Sequence, residues 1–314
     1  MTLRVYMPGT SGETFEAALR SAVAPDIEVV FGGTRPDPAD YQVLVAGRPR
    51  EEDLDASEAL RTVVIPWAGL PPVTRDLLRA RPHLALHNLH HNAPATAEMA
   101  VGLLLAAARG ILPADRALRA GDWRRRYDTD QGLRLVGRTA VVLGYGEIGR
   151  RIARTLEALE MQVHGLRRGD GVDGLDARLP EADVLVVSVP STDETRGLLD
   201  ARRLALLPEG ALVVNVARGD VIDEDALYEA LETGHLGGAG LDVWYRYPAS
   251  EEERASTLPA TRPFHELENV VLSPHRAGHG RGTETARARD LARLLEAAAR
   301  GDTIPHRVDV ARGY

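Results

Sequence analysis

The stretch that decides the fold is residues 141–151, which read VVLGYGEIGRR. An apolar run is followed by Gly144, Gly146 and Gly149, in the spacing G-x-G-x-x-G. The residues after Gly149 then repeat apolar side chains every three or four positions, as an amphipathic helix does. A strand, a glycine-rich turn and a helix in this order are typical of the phosphate loop of dinucleotide-binding domains. The stretch therefore predicts a Rossmann-type cofactor domain.

The glycines of this loop have different physical tasks. Gly144 permits the tight turn, Gly146 lets the backbone approach a pyrophosphate, and Gly149 lets helix and strand pack closely. The first turn of the helix then offers unpaired N–H groups and the positive end of its dipole to the phosphates. The predicted cofactor contacts in the loop are Gly144, Tyr145, Gly146, Glu147, Ile148 and Gly149.

The end of the next strand bears on the choice between NAD and NADP. An NAD site places an Asp or Glu there for the ribose hydroxyls. The predicted strand 162–166 is followed instead by Arg167 and Arg168, with an acid only at Asp170. Two guanidinium groups suit a 2′-phosphate through charge-assisted hydrogen bonds. We therefore expect NADP as the cofactor, with NAD still possible and two solvent-facing arginines as the alternative.

Strand and helix patterns alternate on both sides of this loop, and that alternation is typical of parallel sheets covered by helices. Before the loop, strands are predicted at 3–7, 28–31, 43–46, 63–66 and 84–87, and helices at 13–23, 56–60, 73–80 and 95–110. From the loop onward, strands are predicted at 139–143, 162–166, 184–189, 211–216, 239–243 and 270–273, and helices at 149–159, 223–233 and 283–300. Residues 122–134 and 245–263 show no clear period. The predicted class is α/β with two parallel sheets.

Length and composition limit the classes of function. A chain of 314 residues suggests two domains, and a formal net charge of −8 argues against nucleic acid or an anionic membrane as the main partner. The absence of cysteine excludes disulfides, thiolate nucleophiles and Cys-ligated zinc. No signal peptide or long apolar span is recognised, so cytoplasmic residence is expected by default.

Several segments, taken together and in order, resemble the D-2-hydroxyacid dehydrogenase family. They are Asn92–Glu98, Gly144–Gly149, Val189-Pro190 with Thr195–Gly197, Val214–Gly219, Gly240–Val243 and Ser273–His275. The resemblance implies a Rossmann-type cofactor domain, residues 94–281, inserted into a flavodoxin-like substrate domain, residues 1–93 plus 282–314. It also implies hydride transfer between NAD(P)H and a small 2-oxo or 2-hydroxy acid. A homodimer with the helix near 95–110 at its interface is implied as well.

The resemblance also assigns roles to residues of this chain. Arg218 matches the cation that holds the substrate carboxylate and polarises its carbonyl, and His275 matches the acid/base. Asp242 matches a position that contacts the nicotinamide carboxamide. Other implied cofactor contacts are Val189, Pro190, Thr195, Val216 and Ala217. In the first domain, the predicted substrate contacts are Arg48 and the loop residues Ala68, Gly69 and Leu70.

One position departs from the family pattern. The family places a glutamate between the arginine and the histidine, where its carboxylate raises the pKa of the imidazole. Counting from Asp242, that position is Tyr247. Either Tyr247 is a neutral partner of His275, or one of the glutamates in 251–253 folds back onto the histidine. The first alternative predicts a lower pKa for His275 and a weaker proton supply at neutral pH.

Other functions stay open at this point. The missing glutamate also fits a dinucleotide-binding sensor or interaction protein with little turnover, although retained Arg218 and His275 oppose it. Arg48 leaves room for an unusual acid such as a phosphonate. His83, His87 and His91 are spaced by four, but they fall on a predicted strand and loop without an acid. No metal site is therefore expected.

Overall fold

The computed structural model describes residues 2–9, 12–128 and 132–313 of the chain. These form two compact units, one made of residues 1–92 with 279–314 and the other of residues 93–278. The predicted domain boundaries, 1–93 with 282–314 and 94–281, differ from this division by one to three residues. Part of the predicted irregular segment 122–134 lies outside the described residues.

Short strands alternate with helices through most of the chain. The strands are β1 (Leu3–Met7), β2 (Ile27–Phe31), β3 (Val43–Val45), β4 (Thr62–Ile65), β5 (Ala85–Asn88), β6 (Thr139–Leu143), β7 (Gln162–Leu166), β8 (Val184–Val187), β9 (Ala211–Asn215), β10 (Leu236–Leu241) and β11 (Val270–Leu272). The α-helices are α1 (Glu13–Ala22), α2 (Glu51–Asp55), α3 (Pro72–Arg79), α4 (Ala93–Ala108), α5 (Ile111–Arg119), α6 (Glu147–Ala158), α7 (Gly171–Arg178), α8 (Ala201–Leu204), α9 (Glu224–Glu232) and α10 (Thr283–Arg300). Single 3-10 turns include Arg124–Arg126, Arg168–Asp170 and Glu252–Ala255.

The first unit is built on a parallel sheet with the strand order β2-β1-β3-β4-β5. This is the flavodoxin-like order. One face of the sheet is covered by α1 and by α10, which contributes Leu291, Leu294 and Leu295 to the core. Residues 305–308 run beside β5, where the Val308 N–H donates to Leu86 O at 2.8 Å. The last helix and the segment after it are therefore part of this unit's core and sheet edge.

The second unit contains a six-stranded sheet with the order β11-β10-β9-β8-β6-β7, again all parallel. The strand order reverses between β6 and β8, which are paired neighbours. Ligands of open α/β sheets bind at the carboxyl ends of the strands at such a reversal point. The glycine loop after β6 and the chain after β8 meet there. The two sheets confirm the predicted α/β class.

The predicted helix at 56–60 is wrong, because α2 lies immediately before it. Arg50 precedes the helix, and its Nε donates to the fully buried carboxylate of Asp53 at 2.8 Å. The chain then leaves the helix at Ser57, whose hydroxyl donates to Tyr41 O at 2.7 Å. The position of this helix is set by an ion pair and by a hydrogen bond from a side chain to the backbone. A pattern of apolar residues does not report either contact.

Three helices and part of a strand were not predicted. Gly110, in the left-handed region at φ 56°, ends α4 as expected but also begins α5, and Pro113 is tolerated in that first turn. The short helices α7 and α8 were missed as well. The strand β10 begins at Leu236, three residues earlier than predicted.

Membrane-spanning potential was tested on the helices of the described residues. No single one is both long and apolar enough to cross a membrane, whereas α4 and α5, bent by 64° between them, meet the criterion of length and composition only as a pair.

Candidate active site

The three glycines of the glycine loop differ in the space around them. Gly144 has φ +100°, and a Cβ on it would stand 2.7 Å from the carbonyl carbon of Ser188. A Cβ on Gly149 would stand 2.0 Å from Gly144 O. By contrast, a Cβ on Gly146 would meet nothing within 4 Å. The loop therefore packs closely against the protein at Gly144 and Gly149, and it leaves open space beside Gly146.

The open side of the loop is the N-terminus of α6. Gly146 is its N-cap and supplies no side-chain hydrogen bond to the first-turn N–H groups. The Glu147 carboxylate is paired with Arg150 and Arg151 on its own helix, and this lowers the pKa of Glu147. Uncapped N–H groups beside open space fit a pyrophosphate.

The chain after β8 packs against this loop. The Ser188 hydroxyl donates to Gly144 O at 2.8 Å, which ties the two strand ends together at the reversal point. Val189 and Pro190 follow directly. The Thr195 hydroxyl donates to Pro190 O at 2.6 Å and accepts from the Thr192 N–H at 2.8 Å. Thr195, a predicted cofactor contact, thus uses its hydroxyl to close its own loop.

Arg167 lies beside the glycine loop, and Arg168 contacts the loop after β8. The Arg167 guanidinium stands 5.6 Å from the centre of the Tyr145 ring. Arg168 forms an ion pair with Glu194, from the loop after β8. Asp170 accepts the Arg167 N–H at 2.6 Å and so closes the 3-10 turn after β7. Arg167 therefore stands at the glycine loop, whereas Arg168 is paired with an exposed carboxylate from the loop after β8.

The loop after β9 carries Arg218 and is held by a buried asparagine. Asn215 is 1% exposed; its Oδ1 accepts the Ala217 N–H at 3.0 Å and its Nδ2 donates to Arg218 O at 3.0 Å. The side chains of Val216 and Ala217 are buried. Within the described residues, the exposed Arg218 guanidinium makes one hydrogen bond, from Nη1 to Ala217 O. The backbone is thus fixed while the fork of the guanidinium faces outward.

Asp242 follows β10 and closes the loop that bears His275. Its buried carboxylate accepts the Ser273 hydroxyl at 2.5 Å, the Arg276 N–H at 2.9 Å and the Ala277 N–H at 3.0 Å. Both oxygens are therefore engaged by the loop after β11. The predicted contact of Asp242 with a nicotinamide stays a prediction, and its observed contacts position the histidine.

His275 lies at a strained position between two anchored residues. It has φ +53°, in the left-handed region that favours glycine. The Ser273 carbonyl accepts the His275 N–H at 3.0 Å and the Trp244 Nε1–H at 2.7 Å. Non-glycine residues in this region persist where their surroundings hold them, often at functional sites. The exposed imidazole is thus presented by a fixed backbone.

Tyr247 contacts His275 through its ring. The ring centroids are 5.5 Å apart with 56° between the planes, and the Tyr247 hydroxyl accepts the Trp244 N–H at 3.1 Å. Partial burial raises the pKa of Tyr247, and the nearby Arg218 guanidinium opposes that rise. The phenol therefore stays neutral at physiological pH.

The glutamates of the following turn are engaged locally. Glu253 accepts the Ala249 N–H at 2.9 Å, and Glu251 pairs with Arg254 at 2.5 Å. These contacts engage the carboxylates of Glu253 and Glu251 within their own segment.

In the first unit, Arg48 and the loop 68–70 follow adjacent strands, β3 and β4. The two loops are in contact, because a Cβ on Gly47 would overlap the Trp67 ring at 1.8 Å. The buried Thr74 hydroxyl donates to Gly47 O at 2.7 Å. The Arg48 side chain is exposed. The predicted substrate contacts of this unit therefore lie together at one edge of its sheet.

In the second unit, three neighbouring strands, β9, β10 and β11, bring the predicted catalytic residues to one edge. Sequence reasoning missed Asn215, which holds the Arg218 loop, and Ser188, which holds the glycine loop, and it treated Trp244 mainly as a packing residue. Asn215 stood inside the Asn-Val-Ala-Arg-Gly segment, which was the available signal. Among the described residues, no group of three or more His, Cys, Asp or Glu is placed to hold a metal ion.

Comparison with known proteins gives matches over most of this chain. A family model described as D-isomer specific 2-hydroxyacid dehydrogenase, NAD binding domain, matches residues 101–277. D-3-phosphoglycerate dehydrogenase of Mycobacterium leprae is 33% identical over 272 residues, which are 83% of this chain and 49% of that protein. Glyoxylate reductase of Korarchaeum cryptofilum is 36% identical over 226 residues, 68% of this chain and 65% of that protein.

A solved structure extends the likeness to both units. The D-isomer specific 2-hydroxyacid dehydrogenase from Xanthobacter autotrophicus Py2, in complex with NADPH and MES, has a TM-score of 0.81 and 28% identity. The match covers 99% of this chain and 100% of that one. The chain spans about half the length of the phosphoglycerate dehydrogenase that it matches.

Proposed function

Because this chain belongs to the D-isomer specific 2-hydroxyacid dehydrogenase family, we propose that it reduces a small 2-oxo acid to the 2-hydroxy acid with NADPH. The observation that carries the proposal is that two predicted catalytic residues lie at one edge of the second sheet. There an outward-facing Arg218 follows β9 and a backbone-anchored His275 follows β11, the two strands that flank β10 in the domain that holds the glycine loop.

The residues present fit a nicotinamide dinucleotide. The open side of Gly146 and the uncapped N-terminus of α6 would hold the pyrophosphate. The remaining contacts would come from Val189, Pro190, Thr195, Val216, Ala217 and Asp242. When bound, the reduced nicotinamide supplies the hydride.

Arg218 and His275 would perform the rest of the chemistry. The planar fork of Arg218 suits the substrate carboxylate together with the oxygen of the carbonyl beside it. His275 donates a proton to that oxygen as negative charge develops on it, and then requires reprotonation from water. The N–H groups of Gly69 and Leu70 and the guanidinium of Arg48 would hold the carboxylate from the first unit.

Tyr247 distinguishes this site from the family pattern. Its neutral ring contacts His275 at the position where the family has a carboxylate. We infer that His275 beside this neutral ring works best as a proton donor at a lower pH than the same histidine beside a glutamate at position 247 would.

The preference for NADPH rests on charge. Arg167 and Arg168 follow β7, where the sequence predicts recognition of a 2′-phosphate, and the nearby Asp170 carboxylate accepts the Arg167 N–H. The Xanthobacter relative contains NADPH.

The test is oxidation of NADPH beside NADH with glyoxylate, pyruvate, hydroxypyruvate and phenylpyruvate, from acid to neutral pH. We expect turnover, a preference for NADPH, and a kcat/KM that declines as the pH rises. A double variant, Arg167→Gln with Arg168→Gln, should lose the preference for NADPH and keep activity with NADH. Absence of turnover with every acid and both cofactors would contradict the proposal.

Tyr247 also favours a second candidate, a dinucleotide-binding sensor with little turnover. Tight NADPH binding without reduction of any oxo acid would support that candidate instead. Homodimerisation and cytoplasmic residence accompany the first proposal as further expectations, to be checked by light scattering and by cell fractionation.

A further inference from the structure

We propose that Asn88 is a positioning residue, which orients the N–H of Gly69 toward the substrate carboxylate. The inference rests on the proposed function of the loop 68–70 and assigns the residue that gives this loop its direction. Asn88 is the last residue of β5 and is only 6% exposed. Its Nδ2 donates to Ala68 O at 2.6 Å.

The orientation of the Asn88 amide is determined by its second bond. Its Oδ1 lies 3.0 Å from Nε2 of His90. An amide oxygen only accepts hydrogen bonds, so the imidazole must carry its proton on Nε2. With Oδ1 engaged by His90, the NH₂ group faces Ala68 O.

The consequence for Gly69 follows from peptide geometry. The Ala68 carbonyl and the Gly69 N–H belong to one planar trans peptide, in which the two groups point in opposite directions. A bond that holds the carbonyl toward Asn88 therefore directs the N–H away from it. Within the described part of the chain, neither Gly69 N nor Leu70 N donates a backbone hydrogen bond. Two N–H donors are thus left for an anion.

The anchor itself is rigid because residues from distant parts of the chain hold it. The Asn88 N–H donates to His306 O at 3.2 Å, and the His90 N–H donates to Asp290 Oδ2 at 3.0 Å. The rings of His90 and His306 are in contact, with centroids 4.6 Å apart. The direction of the loop 68–70 therefore depends on α10 and on the segment that follows it.

The test is Asn88→Leu, which keeps the size of the side chain and removes its donor. We expect the KM for glyoxylate to rise roughly ten- to hundredfold, as expected for loss of an oriented donor to a charged group. The Kd for NADPH should stay within about twofold, because the glycine loop lies in the other unit. His90→Phe should change the KM in the same direction and by less.

Asn269→Leu is the matched control. Asn269 Nδ2 donates to Leu231 O at 3.2 Å, so the same substitution removes the same kind of bond in the second unit. It should leave the KM for glyoxylate unchanged. A KM that rises equally in both variants, or in neither, would overturn the inference.

A readout that does not require turnover separates this inference from the proposed function. In protein labelled with ¹⁵N-glycine, the Gly69 amide signal is assigned by its absence from Gly69→Ala. Asn88→Leu should move that signal, and oxamate should shift it in the wild-type protein carrying NADPH. An unmoved signal in Asn88→Leu refutes the positioning role even if the enzyme is active. A wild-type protein that neither reduces oxo acids nor responds to oxamate refutes the proposed function and this inference with it.

Discussion

Replacing Tyr247 by glutamate restores the charge that the family places beside the histidine, and it should move the pH profile. Reduction requires the protonated form of His275, so kcat/KM falls as the pH rises through the pKa of that imidazole. A carboxylate nearby stabilises the imidazolium and raises this pKa. Tyr247→Glu should therefore shift the falling limb to higher pH.

The distance between the rings of Tyr247 and His275 determines the expected size of the pKa shift. Taking the 5.5 Å between the two rings as the charge separation, Coulomb's law gives about 3 kcal/mol at an effective dielectric constant of ~20 and about 0.8 kcal/mol in bulk water. Tyr247 is 48% exposed, so an intermediate value applies. A stabilisation of about 1.4 kcal/mol corresponds to a rise of about one unit in the pKa of His275.

The assay is kcat/KM for NADPH-dependent reduction of glyoxylate across the pH range, in the wild type, in Tyr247→Glu and in Tyr247→Gln. The glutamine variant is the control, because it removes the ring and has the shape of glutamate without its charge. Its profile should lie about one unit below that of the glutamate variant. Coincident profiles for the two variants would refute the idea that the side chain at 247 acts electrostatically on His275.

Three further perturbations test separate parts of the site. Arg218→Lys should lower kcat/KM roughly a hundredfold and leave the Kd for NADPH unchanged, since a lysine cannot form the bidentate fork; a change in KM alone would point to simple binding instead. Gly149→Ala places a Cβ 2.0 Å from Gly144 O; we expect a lower Tm and weaker NADPH binding by calorimetry, with about 1–3 kcal/mol of strain, and an unchanged Tm would mean that the loop relaxes. Glu194→Gln releases Arg168 from an exposed ion pair of about 0.2–1 kcal/mol, so fluorescence titration should show the Kd for NADPH falling by up to about fivefold; an equal change for NADH would contradict a role at the 2′-phosphate.

Local sequence patterns predicted most strands and the glycine loop. Continuous apolar runs between charges or glycines identified most strands of both sheets, because strands of a parallel sheet are buried on both faces. The glycine loop was predictable for the same reason, since its spacing follows from steric requirements at each position.

The start of β10 shows where local pattern fails. Gly237 and Gly238 have low strand propensity, so the strand was expected to begin later. The glycines are required there, since a Cβ would stand 2.5 Å from Gly210 O at the first and 2.7 Å from Asn269 O at the second. Close approach by neighbouring loops, rather than flexibility, explains these residues.

Local sequence patterns also revealed only part of the candidate site. Arg218 and His275 were identifiable because they lie in short segments that resemble those of a known family. The side chain that holds the His275 loop bonds partners far away in sequence, because Asp242 accepts hydrogen bonds from the loop after β11. Similarly, Asn88 reaches back to Ala68. No periodicity in the sequence reports such long-range pairs, so they become visible only once the strand order is known.

The division of the first unit between two stretches of chain has a consequence for synthesis on the ribosome. Its core needs Leu291, Leu294 and Leu295 of α10, which follow the whole second unit in the chain. The second unit is continuous, and domains generally fold as units during translation. We expect a chain truncated after residue 280 and released from the ribosome to show a protease-resistant second unit while residues 2–92 are still cleaved. The first unit begins to be translated before the second unit but can fold only after it. In the interval, its apolar strands are exposed and need protection by chaperones.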